Sequence, residues 1–409
     1  MGYYLKLAYS NLKKILFSPY KWFVVFFLVL LYRIEFMSDT GVGVGKILQL
    51  TMVLGLIILL LREKQHLIRF VYKQTNTPVK SLALLYTYAL ISTLWAVVPT
   101  FAFFISLQNI LMILLFTWAF AQFSNFYGME RGLIFFTFTI VAFEFVASRI
   151  GTTSIFAHFL PSGSLSAMML AYCVGEHMHC DQHDAERMKL LNYAAIAYLF
   201  FLVVNTSGGA NASAVVAIGV AMLLGGKKGY AVLLLFIGLF LFFNQEMIDD
   251  IILTLMPGKN METIKIGNGR DTIWANLLFY ADQKPWLGWG FACIERVQQL
   301  GIIGGQSLSD AHSNYIGMYG SLGIVGCSLF GWHLLSTGYY LFKRISQPGF
   351  LGLFAAFTCA TVNGYSYGFL SGKTCSITVV YIMVVVLSFY YNYIPLEEET
   401  VTEDEQDIE

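Results

Sequence analysis

Charge is what this chain has least of. Only 12% of its 409 residues are Asp, Glu, Lys or Arg, about half of the roughly 25% usual in soluble domains. With 57% hydrophobic residues and a mean hydropathy of +0.65, that scarcity excludes a water-soluble globule. Basic and acidic residues number 25 each, and no basic stripe of the kind that tracks nucleic acid stands out. The six cysteines lie mostly inside or beside apolar runs, with no spacing that suggests a disulfide framework. The basic start is followed by a span without a small-residue cleavage site, so a cleavable signal is not expected. There is no internal repeat and no separate soluble domain. The glycines of Gly41-Val-Gly-Val-Gly45 follow no predicted strand, which excludes a dinucleotide fingerprint.

What the chain does have is apolar runs, each near the ~20 residues a helix needs to cross a bilayer. They fall at 22–37, 46–61, 81–98, 101–121, 132–148, 163–179, 190–205, 211–225, 229–244, 315–342, 350–366 and 375–394. The expectation is an all-α polytopic membrane protein of about twelve transmembrane helices. It has one large periplasmic or extracellular loop, about 245–314, containing a short amphipathic helix. Residues 1–394 form a single transmembrane domain, and the acidic stretch 395–409 reads as a disordered cytoplasmic tail. With the N-terminus in the cytoplasm, sixteen Lys and Arg fall in inside segments and eight outside. Five of those eight sit in the one long loop, and long loops follow the positive-inside rule weakly. The charge bias therefore puts both termini in the cytoplasm and the long loop outside.

The chain is organised around residues 268–326, which carry Arg270, Asp271, Arg296, Asp310 and His312 between two hydrophobic blocks. Gly269 and Asp271 open a helix there, Ile273, Trp274, Leu277 and Leu278 give it one greasy face, and Pro285 stops it. Such a helix between two spans is expected to lie flat at the membrane surface. Arg270 in its first turn can build an anion site with the helix N-terminus; the plainer reading is an interfacial Arg reaching to lipid headgroups. His312, flanked by Asp310 and Asn314 at the mouth of a span, can serve as a general base oriented by a carboxylate. The plainer reading of His312 is a polar helix cap. Arg149 and His158 border another outward loop and could face the same cavity. His177, His179 and His183 resemble a metal cluster, but they belong to the inner side, where short histidine tracts are more often solvated caps.

These features together resemble the O-antigen ligase and O-antigen polymerase superfamily of bacterial envelope glycosyltransferases. The resemblance is carried by Ser92, Trp95 and Pro99 between two early spans. It continues with Gly269-Arg270, Trp274, Pro285, Gly288 and Gly290, and then with Ala311-His312-Ser313-Asn314-Tyr315 followed by Gly320, Gly323 and Gly326. One departure stands out: where the family shows a Ser-Arg or Thr-Arg pair as the seventh span exits, this chain has Ser207-Gly208. Ligases resemble one another in keeping that arginine, so Gly208 puts polymerase ahead of ligase, with Arg149 the candidate to stand in.

The resemblance implies a metal-independent, cofactor-free membrane glycosyltransferase. It would move a glycan from an undecaprenyl-diphosphate-linked oligosaccharide to an acceptor sugar hydroxyl outside the membrane. It implies His312 as catalytic base, with Arg270, Arg296, Arg149, Asp310 and Asn314 binding substrate. Its partners would be membrane lipids, a chain-length regulator and a flippase, without nucleic acid. The reading from another class is a polysaccharide transporter or flippase without catalysis, which would place charges near the bilayer midplane and show inverted repeats.

Overall fold

The computed structural model describes residues 54, 55, 58, 61, 76–120, 126–149, 160–179, 184–205, 207–226, 270–299, 311–372 and 374–391. Among them every regular element is helical. These are α1 (Thr77–Ile91), α2 (Pro99–Phe120), α3 (Phe126–Arg149), α4 (Leu160–His179), α5 (Ala185–Val204), α6 (Gly208–Leu224), α7 (Arg270–Ala281), the single turn α8 (Arg296–Gln299), α9 (Asn314–Phe342), α10 (Phe350–Asn363) and α11 (Ser376–Tyr390). Three of the described helices, within α2, α5 and α9, are long and apolar enough to cross a membrane; α6, α10 and α11 are apolar but shorter. The runs expected at 22–37 and 229–244, nearly all of 46–61, and the tail 395–409 lie outside the described residues.

Local chemistry explains where these helices begin and end. Asn76 caps α1 by accepting the Val79 N–H at 3.2 Å, and Asp184 caps α5 by accepting the Arg187 N–H at 3.0 Å, each satisfying a first-turn donor. The run expected as one span over 81–98 instead ends as α1 at Ile91 and turns through a short 3-10 element, Ser92–Leu94. Here the Ser92 hydroxyl donates to the Ala89 carbonyl (2.6 Å) and accepts the Phe291 N–H (2.9 Å). A distant segment thus terminates the helix.

The long apolar run after His312 is a broken helix. Inside α9, Gly323 has φ 65 and ψ −163, a conformation open to glycine and costly to other residues. The segment 285–290 docks against this break. Trp289 N–H donates to the Gly320 carbonyl (3.1 Å) and Gly290 N–H to that of Ser321 (2.9 Å), while Ile324 N–H donates back to the Pro285 carbonyl (2.8 Å). Backbone groups freed by the break are re-satisfied by protein, as they must be at membrane depth.

Helix α4 packs against α5, α6 and α10, α6 packs against α10, α3 lies along α4 and α5, and α9 bridges α1, α7 and α10. One end of this bundle gathers the starts of α4 and α6 with the ends of α5 and α10. The opposite end gathers the starts of α3, α5 and α10 with the end of α4, around buried charge. There the Arg187 guanidinium donates to both oxygens of Glu130 (2.7 and 2.8 Å) and to Glu176 (2.6 Å). Glu176 also accepts the N–H groups of Gly349 (2.8 Å) and Gly352 (2.7 Å). Buried charges survive when paired and hydrogen-bonded in this way.

Candidate functional site

The site is assembled where α7, the segment 311–314 and the α10–α11 connection meet. On the face of α7 expected to be greasy, Leu277 is fully buried and packs with Tyr280, Trp289, Ile294, Val297 and Ala311, with Ile273 against the same cluster, while Leu278 is exposed. The apolar side that turns away is the one carrying Phe279, which is 65% exposed.

Trp274 lies one turn after Arg270 on the same face of α7, and its indole N–H donates to the Ala311 carbonyl at 2.9 Å. The Ala311 N–H donates to Glu295 Oε1 at 2.9 Å. On the other side of the histidine, the Asn314 N–H donates to the Gly364 carbonyl at 2.7 Å, and Asn314 Oδ1 accepts the Leu370 N–H at 2.7 Å. Both neighbours of the His312–Ser313 pair are therefore pinned, and His312 itself sits half-buried at φ 49. A non-glycine residue in the left-handed region costs energy and persists only where its surroundings over-determine it. The Trp274 ring also meets Tyr365 edge-on, with centroids 5.3 Å apart, joining α7 to the α10–α11 connection.

The expected site residues divide as follows. Arg270 is the first residue of α7 and half-buried, and burial pulls its guanidinium pKa down from the usual arginine range. It lies one turn before Trp274, whose indole N–H bonds the Ala311 carbonyl. Arg296 begins α8 and lies over the Phe101 ring of α2 at 3.7 Å, a cation–π contact that directs it to α2. Asn314 is buried with its amide oxygen engaged by Leu370, so in this structure it clamps the α10–α11 connection. Arg149 is the last residue of α3; Asp310 and His158 lie outside the described residues. Glu295, which no sequence pattern singled out, is the carboxylate that reaches the histidine segment. His177 and His179 end α4 at the opposite end of the bundle, His183 lies outside the described residues, and among the described residues no three metal-ligating side chains come together.

Residues 193–331 match the family model described as O-antigen ligase. The match runs from within α5 to within α9, less than half of the chain, and it contains Arg270, Glu295, Arg296 and His312. The O-antigen ligase match supports the likeness to the O-antigen ligase and polymerase superfamily that the motifs carry. Members of that family are membrane glycosyltransferase-like enzymes. Among curated proteins none matches the chain.

Proposed function

We propose that this chain is a surface-polysaccharide polymerase. It transfers glycan from an undecaprenyl-diphosphate-linked donor to an acceptor sugar hydroxyl on the outer side of the cytoplasmic membrane. The observation that carries this reading is the double clamp around His312, which holds the residue in a strained backbone conformation against Trp274 of α7. Pre-organised groups of this kind are what acid–base catalysis requires.

In the proposed reaction the acceptor hydroxyl oxygen attacks the anomeric carbon of the donor sugar and its proton passes to His312. The bond from that carbon to the diphosphate oxygen breaks, and undecaprenyl diphosphate leaves with the electron pair. Arg270 and the first-turn N–H groups of α7 face the charge that grows on the diphosphate. A diphosphate is already a good leaving group, so these residues can serve the step without a metal. The apolar surfaces between the helices hold the polyprenyl tail.

The test is Arg270→Ala in purified protein given lipid-linked donor. Loss of one charge-assisted contact of ~1.5–3 kcal/mol should lower polymer formation roughly ten- to a hundred-fold. Arg270→Lys should recover part of it, because lysine lacks the fork of a guanidinium. Undiminished polymer formation by Arg270→Ala would leave the residue as an interfacial anchor and remove the anion site.

The description of the matching family favours a second reading, transfer of a finished glycan to lipid A-core or protein. The product separates the two. Lengthened lipid-linked glycan is the polymerase outcome, and glycan moved intact to lipid A-core or protein is the ligase outcome.

A further inference from the structure

The bundle end next to the His312 segment holds a second group of polar residues that the reaction above does not use. Asn205 closes α5 and is 4% exposed, and Asn363 closes α10 and is 2% exposed. The side-chain NH2 group of each is buried without a hydrogen-bond partner. Two orphan amide donors at one bundle end are unusual, because a buried unpaired donor costs about 1–3 kcal/mol.

Both flank the start of α6. A side chain on Gly163 of α4 would come within 3.3 Å of Ser207 Cβ and 3.4 Å of Asn205 Cβ. One on Gly209 would run into the Ser366 hydroxyl and come within 3.7 Å of Asn363 Oδ1. Among the described residues, Ser207, the residue before α6, makes no side-chain bond to the helix's first turn, whose N–H groups lack an intrahelical acceptor. Two partnerless amide donors therefore lie on either side of the start of α6. The adjoining Gly364 carbonyl is the one that holds Asn314, so this group borders the histidine segment directly.

The chemistry of the group is neutral. Residues 190–226 and 345–372 contain no Asp, Glu, Lys, Arg or His. Gly208, standing where the superfamily carries arginine, is exposed at the first position of α6. Amide and backbone donors without a cation suit uncharged oxygens better than a diphosphate, which gains most from guanidinium groups. We propose that Asn205, Asn363 and the open first turn of α6 form a sugar subsite that takes hydroxyl or acetamido-carbonyl oxygens of the glycan. The inference rests on the lipid-linked glycan reading above and adds where the sugar, as distinct from the diphosphate, is held.

The test measures binding to the purified full-length protein in detergent. It uses two probes: the lipid-linked oligosaccharide that accumulates in cells lacking this gene, and undecaprenyl diphosphate without sugar. Wild type should bind the glycan-bearing lipid more tightly. Asn205→Ala and Asn363→Ala should each weaken that binding roughly three- to ten-fold, the size of one neutral hydrogen bond, with binding of undecaprenyl diphosphate unchanged. Their melting temperatures should hold or rise, since truncation removes an orphan donor. Wild-type affinity in both variants would mean the amides meet only water and would overturn the subsite. Equal weakening for both lipids would move the amides to the diphosphate and overturn the sugar assignment. A drop in melting temperature with unchanged binding would make them structural. If wild type binds neither lipid, the functional reading itself fails, an outcome distinct from the others because it needs no variant.

Discussion

Replacing His312 with glycine separates what its backbone does from what its imidazole does. At φ 49 the residue occupies the left-handed region, where a side chain costs roughly 1–2 kcal/mol. Glycine removes that strain but adds unfolded-chain entropy of about 0.4–1 kcal/mol. The net change for His312→Gly is therefore between zero and about 1.6 kcal/mol of stabilisation, while His312→Ala keeps the strain. The clamps do not depend on the side chain: Ala311 still bonds Glu295 and Trp274, and Asn314 still bonds Gly364 and Leu370. Turnover should nonetheless fall by about 10²–10⁴-fold, the usual contribution of a positioned general base. His312→Gln keeps size and hydrogen bonding but accepts no proton near neutral pH, so it should be equally inactive. The assay is polymer formation from purified lipid-linked donor in liposomes, with donor binding and melting temperature followed beside it. A glycine variant that melts no lower and polymerises near the wild-type rate would refute the base role. A glycine variant that melts far lower would show instead that the imidazole holds the segment together.

Three further outcomes are expected. Glu295→Ala frees the Ala311 N–H and should cut turnover about ten-fold with donor affinity unchanged, matching one hydrogen bond to a charged group; a kcat equal to wild type would disconnect Glu295 from the histidine segment. Arg187→Met leaves Glu130 and Glu176 buried without their cation and should destabilise by ~3–5 kcal/mol, read as a large fall in melting temperature; an unchanged melt would mean the network is not held by charge. In a background without the six native cysteines, an impermeant thiol reagent applied outside should label a cysteine at Gly258 and spare one at Gly226; the opposite labelling would place the 245–314 segment in the cytoplasm, away from any outward-facing donor.

What the sequence made legible was whatever depends on one segment at a time. Apolar runs locate helices because burial of a helix in lipid or protein needs a continuous greasy length, and α2, α5 and α9 answer to runs read from composition alone. Arg270 and His312 stood out because charge is scarce in this chain. The misreadings share a cause in tertiary partners. The run 81–98 looked continuous because Ser92 is ordinary in an apolar stretch until the Phe291 N–H reaches it. On α7 the sequence cannot announce that Trp289 and Val297 will cover Leu277. Asp310 stood out as a carboxylate for His312 by proximity in sequence and lies outside the described residues, whereas Glu295, which reaches the Ala311 N–H from sixteen residues upstream, has no such signal. Asn205 and Asn363 are neutral amides with no signal in the sequence, and only burial without partners sets them apart.

The two ends of the bundle carry different kinds of polarity, and the difference follows from what each must do. At the end holding Glu130, Glu176 and Arg187, the buried charges are matched within the protein, with an arginine fork, backbone donors and tyrosines satisfying the carboxylates. Such a network is closed: every strong group already has its partner, and disturbing it costs stability without offering anything to a ligand. At the His312 end the polar groups are matched less completely: the buried Glu144 accepts the Ser376 hydroxyl, but the backbone is strained at His312 and the side-chain NH2 groups of Asn205 and Asn363 are left open. Stability there is sacrificed in small amounts at several points, about 1–3 kcal/mol for each orphan donor or strained residue. A folded chain retains such costs where a bound molecule repays them. A fixed, self-satisfied end therefore anchors the helices whose other ends, α4, α5, α6 and α10, frame an unsatisfied one. On the proposed reading, a substrate that brings its own oxygens to the His312 end is what offsets those costs.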